Sequence, residues 1–146
     1  MPMQDHLLDI DDELLKLVRQ AINTGFAQIQ DEEEDTDILP ALITDTAIIV
    51  LEVQKPNDIF TTTQDLLASG IVKRGVLIYS GYLTLRGERT RVIFAEGYEQ
   101  GKDKTWRFAQ VYRPAVKAGF LRKAQQPERL GNLKFLTGPA EYRFPS

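Results

Sequence analysis

The 146-residue sequence contains no cysteine and only one histidine. Without cysteine, the protein has no disulfide scaffold, no cysteine-ligated zinc site, no iron–sulfur cluster and no thiol catalysis. The histidine, His6, falls in a segment that we expect to form an N-terminal arm. A catalytic triad needs a rigidly held imidazole, and a metal site usually needs further ligands. We therefore predict no catalytic residue, no metal site and no cofactor.

Long apolar runs are also missing. No stretch approaches the roughly 20 residues of a transmembrane helix, and the opening MPMQDH lacks the basic and apolar regions of a signal peptide. We expect a cytoplasmic protein with no membrane partner. The composition, 42% hydrophobic and 27% charged, indicates one globular domain over residues 1–146. Within it we expect an arm at 1–11, a solvated acidic loop at 30–37 and an irregular tail at 138–146.

Charge is distributed unevenly along the chain. Residues 1–70 carry 15 acidic and 3 basic side chains, a net −12, whereas residues 71–146 carry 15 basic and 6 acidic ones, a net +9. The two halves sum to the overall −3. Such asymmetry is compatible with a polyanion-binding basic half, with association between complementary copies, or with halves that neutralise each other within one fold.

Two helices are predicted. The apolar residues of 12–29 recur on one side of a helix, and Asp11 is placed to cap its N-terminus. A shorter helix over 58–68 follows Asn57 as its N-cap and ends before Gly70, which suits the C′ position.

Five strands are predicted, and three of them are joined too closely for parallel crossovers. Arg86-Gly87-Glu88 forms the turn of the clearest hairpin, and Pro40 favours an edge position or a strand that starts after it. Residues 119–122 and 132–136 are short strands or turns. The fold class is therefore α+β, a mainly antiparallel sheet of about five strands with both helices packed on one face. The predicted strands are 38–44, 47–54, 76–85, 89–96 and 105–113.

Three short segments resemble a pattern in uncharacterised small bacterial proteins, "YDGY…GxRTDA…QRYRP". They are Tyr79-Ser80-Gly81-Tyr82, Gly87-Glu88-Arg89-Thr90 and Gln110-Val111-Tyr112-Arg113-Pro114, and the region 79–114 that contains them is about a quarter of the chain. The resemblance implies a bacterial protein with a small α+β fold, and it implies no activity. Ser80 and Arg91 stand where the pattern has aspartates, so no role for those carboxylates carries over.

The strand 105–113 offers the best binding residues. Alternation along a strand puts Trp106, Phe108 and Tyr112 on one face, where they serve either as a stacking platform for bases or as core beneath a helix. Basic side chains in and around this strand are the candidate polyanion-binding residues: Lys102, Lys104, Arg107, Arg113, Arg122 and Lys123.

A metal-dependent nuclease is a weaker alternative. Asp45, Glu52 and Lys55 are the residue types that hold Mg²⁺ and orient a water, although Glu52 and Lys55 point to opposite faces of a strand.

The preferred interpretation is a non-catalytic protein-interaction or assembly module that forms a homodimer or binds another protein. It depends on the absence of catalytic motifs, on apolar surface in the first helix and the hairpin, and on the complementary charge of the two halves. The alternative is a nucleic-acid or polyanion-binding protein that uses the basic second half.

Overall fold

A seven-stranded antiparallel sheet organises the chain in the computed structural model, which describes residues 10–52, 54–55, 57–102 and 105–136. The strand order is β2-β1-β3-β4-β5-β6, and β7 also pairs with β5. The α+β class is confirmed, with two more strands than the five expected. The strands are β1 Ala41–Ile43, β2 Ile48–Val50, β3 Arg74–Leu85, β4 Glu88–Glu99, β5 Trp106–Arg113, β6 Glu128–Arg129 and β7 Lys134–Leu136.

The first helix, α1, spans Asp12–Ile29 as the apolar periodicity predicts. The Asp11 carboxylate accepts a hydrogen bond from the Glu13 N–H at 2.8 Å, which satisfies one of the unpaired donors of the first turn. Gly25 lets the helix approach the sheet closely, since a Cβ there would meet the Ile78 side chain of β3 at 3.4 Å and the Ile93 side chain of β4 at 3.5 Å. In the described ranges, neither helix is both long and apolar enough to cross a membrane.

The second helix, α2, spans Asp58–Ala68, again as predicted. Its C-terminal prediction is confirmed, because Gly70 has a φ of 80° and its N–H donates to the Leu67 carbonyl. Asn57 occupies the N-cap position as predicted, but its side chain makes no capping hydrogen bond.

The two helices cover opposite faces of the sheet, which corrects the expectation of one shared face. α1 packs on Val76, Ile78 and Ile93, whereas α2 packs around Leu77 and Tyr79. Because successive residues of a strand point to opposite faces, these sets belong to different sides. The middle parts of β3 and β4 are consequently buried on both sides, which explains the continuous apolar runs at 76–79 and 92–95.

The β3–β4 hairpin lies at the centre of the sheet. Its two strands pair over twelve positions, from Arg74 with Glu99 to Leu85 with Glu88. The two turn residues, Arg86 and Gly87, have φ values of 51° and 80°, the positive pair that a tight hairpin turn requires.

The outer edge of β5 is shared by two short strands. β6 pairs with its C-terminal end and β7 with its N-terminal half. The Gln110 side-chain amide donates to the carbonyls of Leu130 and Gly131 at 3.3 and 3.2 Å, which ties the β6–β7 connection to the sheet.

Candidate functional site

The most polar region on the α1 face surrounds Arg91 of β4, which is only 6% exposed. Its guanidinium forms ion pairs with Asp35, at 3.1 Å, and with Asp37. Burial alone would lower the pKa of Arg91, but the hydrogen bonds that its guanidinium donates to the two carboxylates hold that pKa above its usual value. The cluster therefore ties a buried cation to a loop more than fifty residues away.

This contact corrects the expectation that the acidic loop is merely solvated. Asp35 and Asp37 keep contact with water but also neutralise a charge that would otherwise be buried without a counter-ion. Glu34 of the same loop pairs with Lys117 at 3.0 Å. The acidic first half and the basic second half thus neutralise each other in part within one chain.

Two tyrosines complete the Arg91 cluster. The guanidinium carbons of Arg89 and Arg91 lie 3.7 and 5.0 Å from the centre of the Tyr82 ring, within range of cation–π attraction. Burial raises the pKa of Tyr112, so its phenol stays protonated at neutral pH. The Tyr112 hydroxyl has no hydrogen-bond partner in the part of the chain that the structure describes. The contacts around Arg91 are thus ion pairs and a cation–π contact that surround a buried guanidinium.

A second buried charge, Glu96, lies on the α2 face of the same strand and is 1% exposed. The Arg107 Nε–H donates to its carboxylate at 2.6 Å, and the hydroxyls of Tyr79 and Tyr98 lie 3.3 and 3.4 Å away. Burial raises the pKa of Glu96, and these donors oppose the rise.

The candidate polyanion-binding residues are spread over the molecule. Lys102 pairs with Glu99, and Arg113 pairs with Glu128. Arg107, the partner of Glu96, is at the opposite end of β5 from Arg113, roughly 20 Å away at the rise of a strand. Arg122 and Lys123 are exposed on a hairpin that follows β5, and Lys104 lies outside the described residues, as does His6.

The candidate stacking residues Trp106, Phe108 and Tyr112 are buried in the core on the α1 face. Their exposed fractions are all below a tenth, so they offer bases no open platform. Their burial agrees with the core alternative weighed from the sequence.

The nuclease candidates do not meet. Asp45 lies in the turn before β2 and Glu52 beyond its other end, and both are exposed. Within the described ranges, no group of three or more histidine or acidic side chains is arranged to hold a metal ion.

The outer edge of β2 was not predicted from the sequence as an interaction site. Ile48 and Val50 are 57% and 49% exposed, and no strand described here pairs with β2 except β1. The available signal was an uncharged run from Thr46 to Leu51, which is unusual at an unprotected sheet edge. Of the two alternatives predicted from Pro40, the second is confirmed, because β1 starts after it and lies inside the sheet.

No protein-family model, curated protein or solved structure matches this chain. A functional assignment therefore depends on the geometry described above.

Proposed function

We propose that this protein is a non-catalytic assembly module that forms a homodimer through the outer edge of β2. The observation that carries the proposal is the pair of apolar side chains, Ile48 and Val50, exposed along an edge strand without charge. Natural sheet edges are usually protected by lysine, proline, bulges or a covering segment, because their free backbone groups pair with other strands.

The backbone of β2 supports pairing with a second copy. The Leu51 N–H donates to the Pro40 carbonyl at 2.9 Å, so the backbone groups of Leu51 face β1. Along an antiparallel strand, the N–H and C=O groups of successive residues point alternately to the two sides of the strand. The N–H and C=O groups of Ile48 and Val50 therefore point away from β1, toward the free edge. Two copies related by a two-fold axis can then exchange hydrogen bonds between Ile48 of one copy and Val50 of the other, an interface that is complementary to itself.

Apolar burial supports such an interface better than charge pairing does. The ion pairs of Arg91 and Lys117 with the acidic loop use part of the charge complementarity within the chain. Exposed ion pairs contribute only about 0–1 kcal/mol each, whereas burying an isoleucine or valine side chain contributes roughly 1.5–3 kcal/mol. We therefore expect a dimer that persists at high salt.

Light scattering coupled to size exclusion tests the proposal at micromolar protein in low salt and in 1 M salt, where the Debye length is about 3 Å. We expect a dimer in both buffers and a monomer for Ile48→Lys, which places a charge on the edge. Ile71→Lys is the matched control, because Ile71 is also exposed, at 75%, but precedes β3 rather than lying on β2. A monomeric wild-type protein, or an Ile48→Lys dimer, would overturn the proposal.

A further inference from the structure

The segment between β5 and β6 forms a second hairpin, here called the basic hairpin, over residues 116–125. Val116 and Gln125 exchange two backbone hydrogen bonds of 2.8 Å, and Gly119 pairs with Arg122 closer to the tip. The turn itself consists of Phe120 and Leu121, which are 99% and 92% exposed. Among the exposed large apolar side chains of the described residues, these two are the most accessible to solvent.

The side chains that flank this apolar tip carry one sign of charge. Lys117, Arg122 and Lys123 are basic, and no acidic residue occurs between positions 115 and 127. Lys117 is paired with Glu34, whereas no ion pair of Arg122 or Lys123 occurs within the described ranges. Two apolar side chains thus project from a turn whose neighbours are cationic.

The shape of the tip distinguishes between kinds of partner. A specific protein interface buries about 800 Å² on each partner, arranged around a central apolar patch. The tip is a single two-residue turn, and its almost complete exposure shows that the rest of the chain scarcely contacts these two side chains. A lipid headgroup layer needs no such surface, because it accepts a small apolar wedge and attracts the cations beside it.

We propose that Phe120 and Leu121 insert into the interface of an anionic membrane while Arg122 and Lys123 contact lipid phosphates and carboxylates. This is peripheral attachment and needs no membrane-spanning helix. It differs from the sequence-based expectation of no membrane partner, because the chain pattern did not reveal that these two side chains occupy the tip of a turn. The inference is independent of the proposed dimer, which uses β2.

Vesicle binding tests the inference. The wild-type protein should cosediment with vesicles of phosphatidylcholine and phosphatidylserine at low salt, and only weakly with phosphatidylcholine alone. Phe120→Ser with Leu121→Ser should reduce the partition coefficient at least about tenfold. Arg122→Gln with Lys123→Gln should reduce it roughly tenfold to thirtyfold on anionic vesicles only. Ile71→Ser, which removes an exposed apolar side chain elsewhere, should bind like the wild type.

The depth of insertion gives a second, independent measurement. In Phe120→Trp the new indole lies at the tip, while Trp106 stays buried in the core. Brominated lipids should quench the fluorescence of this variant and leave that of the wild type unchanged. Absence of vesicle binding at low salt, binding that survives the serine variants, or an unquenched Phe120→Trp would overturn the inference. All substituted side chains are exposed, so the variants should melt at the temperature of the wild type. Thermal melting therefore checks that each variant is folded.

Discussion

Strand β4 carries two buried charges, and they are neutralised in different ways. Arg91 faces α1 and is paired with Asp35 and Asp37 from a loop far away in the sequence. Glu96 faces α2 and is paired with Arg107, its direct neighbour on β5. The first charge depends on a long-range connection, and the second depends on strand register alone.

The two charges also differ in how they respond to the loss of a partner. A buried carboxylate can bind a proton and become neutral, whereas an arginine stays charged at every accessible pH. Loss of the loop carboxylates therefore leaves the Arg91 charge buried without a counter-ion. Loss of the groups around Glu96 instead changes the pKa of Glu96. We expect the Arg91 cluster to affect stability and the Glu96 cluster to affect its pH dependence.

The largest expected effect comes from truncating core residues of the two strands, β3 and β4, that hold both charges in place. Ile93 lies between Arg91 and Glu96 on β4, and it and Ile78 of β3 are fully buried. Truncating either isoleucine to alanine leaves a cavity in the core beneath α1 and should cost about 2–5 kcal/mol of unfolding free energy. Urea unfolding followed by circular dichroism measures the loss. Wild-type stability of both variants would show that β3 and β4 do not form the core.

The second-largest effect is expected when the two counter-ions of Arg91 are replaced by neutral residues. Asp35→Asn with Asp37→Asn should cost about 3 kcal/mol, at the lower end for breaking a buried pair because both carboxylates also contact water. Adding Arg91→Met should restore much of that loss, since no uncompensated charge then remains buried.

Glu32→Gln with Glu33→Gln is the matched control for this experiment. These residues lie in the same loop and are exposed, so their substitution should change stability by less than about 0.5 kcal/mol. Equal urea midpoints for the two double variants would contradict a structural role of the Arg91 pairs. In that case the loop would be solvated as the sequence alone suggested.

Local patterns predicted a large part of this fold. The bounds of α1 and α2 follow from periodicity and flanking residues, and the β3–β4 turn follows from Gly87. Contacts between distant segments were not predictable in the same way. The sequence predicts only that the loop with Asp35 and Asp37 is solvated. A run of acidic residues does not show which basic residue it contacts, and here that residue, Arg91, lies 54 to 56 positions later in the chain.

The same limit explains the site residues. Alternation correctly grouped Trp106, Phe108 and Tyr112 on one face, but which helix covers that face depends on the path of the chain. The two-residue strand β6 is too short for any periodicity to indicate it. Exposure at the β2 edge and at the tip of the basic hairpin is likewise a property of the assembled sheet.

The smallest expected effect is a dependence on pH that Glu96 alone produces. Burial raises the pKa of Glu96 in the folded protein above its unfolded value, so the folded state binds a proton more readily. Stability from this group is therefore fully present below the unfolded pKa, near 4.5, and is lost as pH rises through the folded pKa. Glu96→Gln mimics the protonated form and should not show that loss. The wild-type stability minus that of Glu96→Gln should fall by at most about 1.4 kcal/mol per pH unit within this window. Urea unfolding from about pH 4 to 8 measures the difference, with Glu52→Gln, at an exposed glutamate, measured alongside as the matched control. A difference that rises with pH would show that Arg107 and the two tyrosines outweigh burial, and that Glu96, like Arg91, is held as a permanent ion.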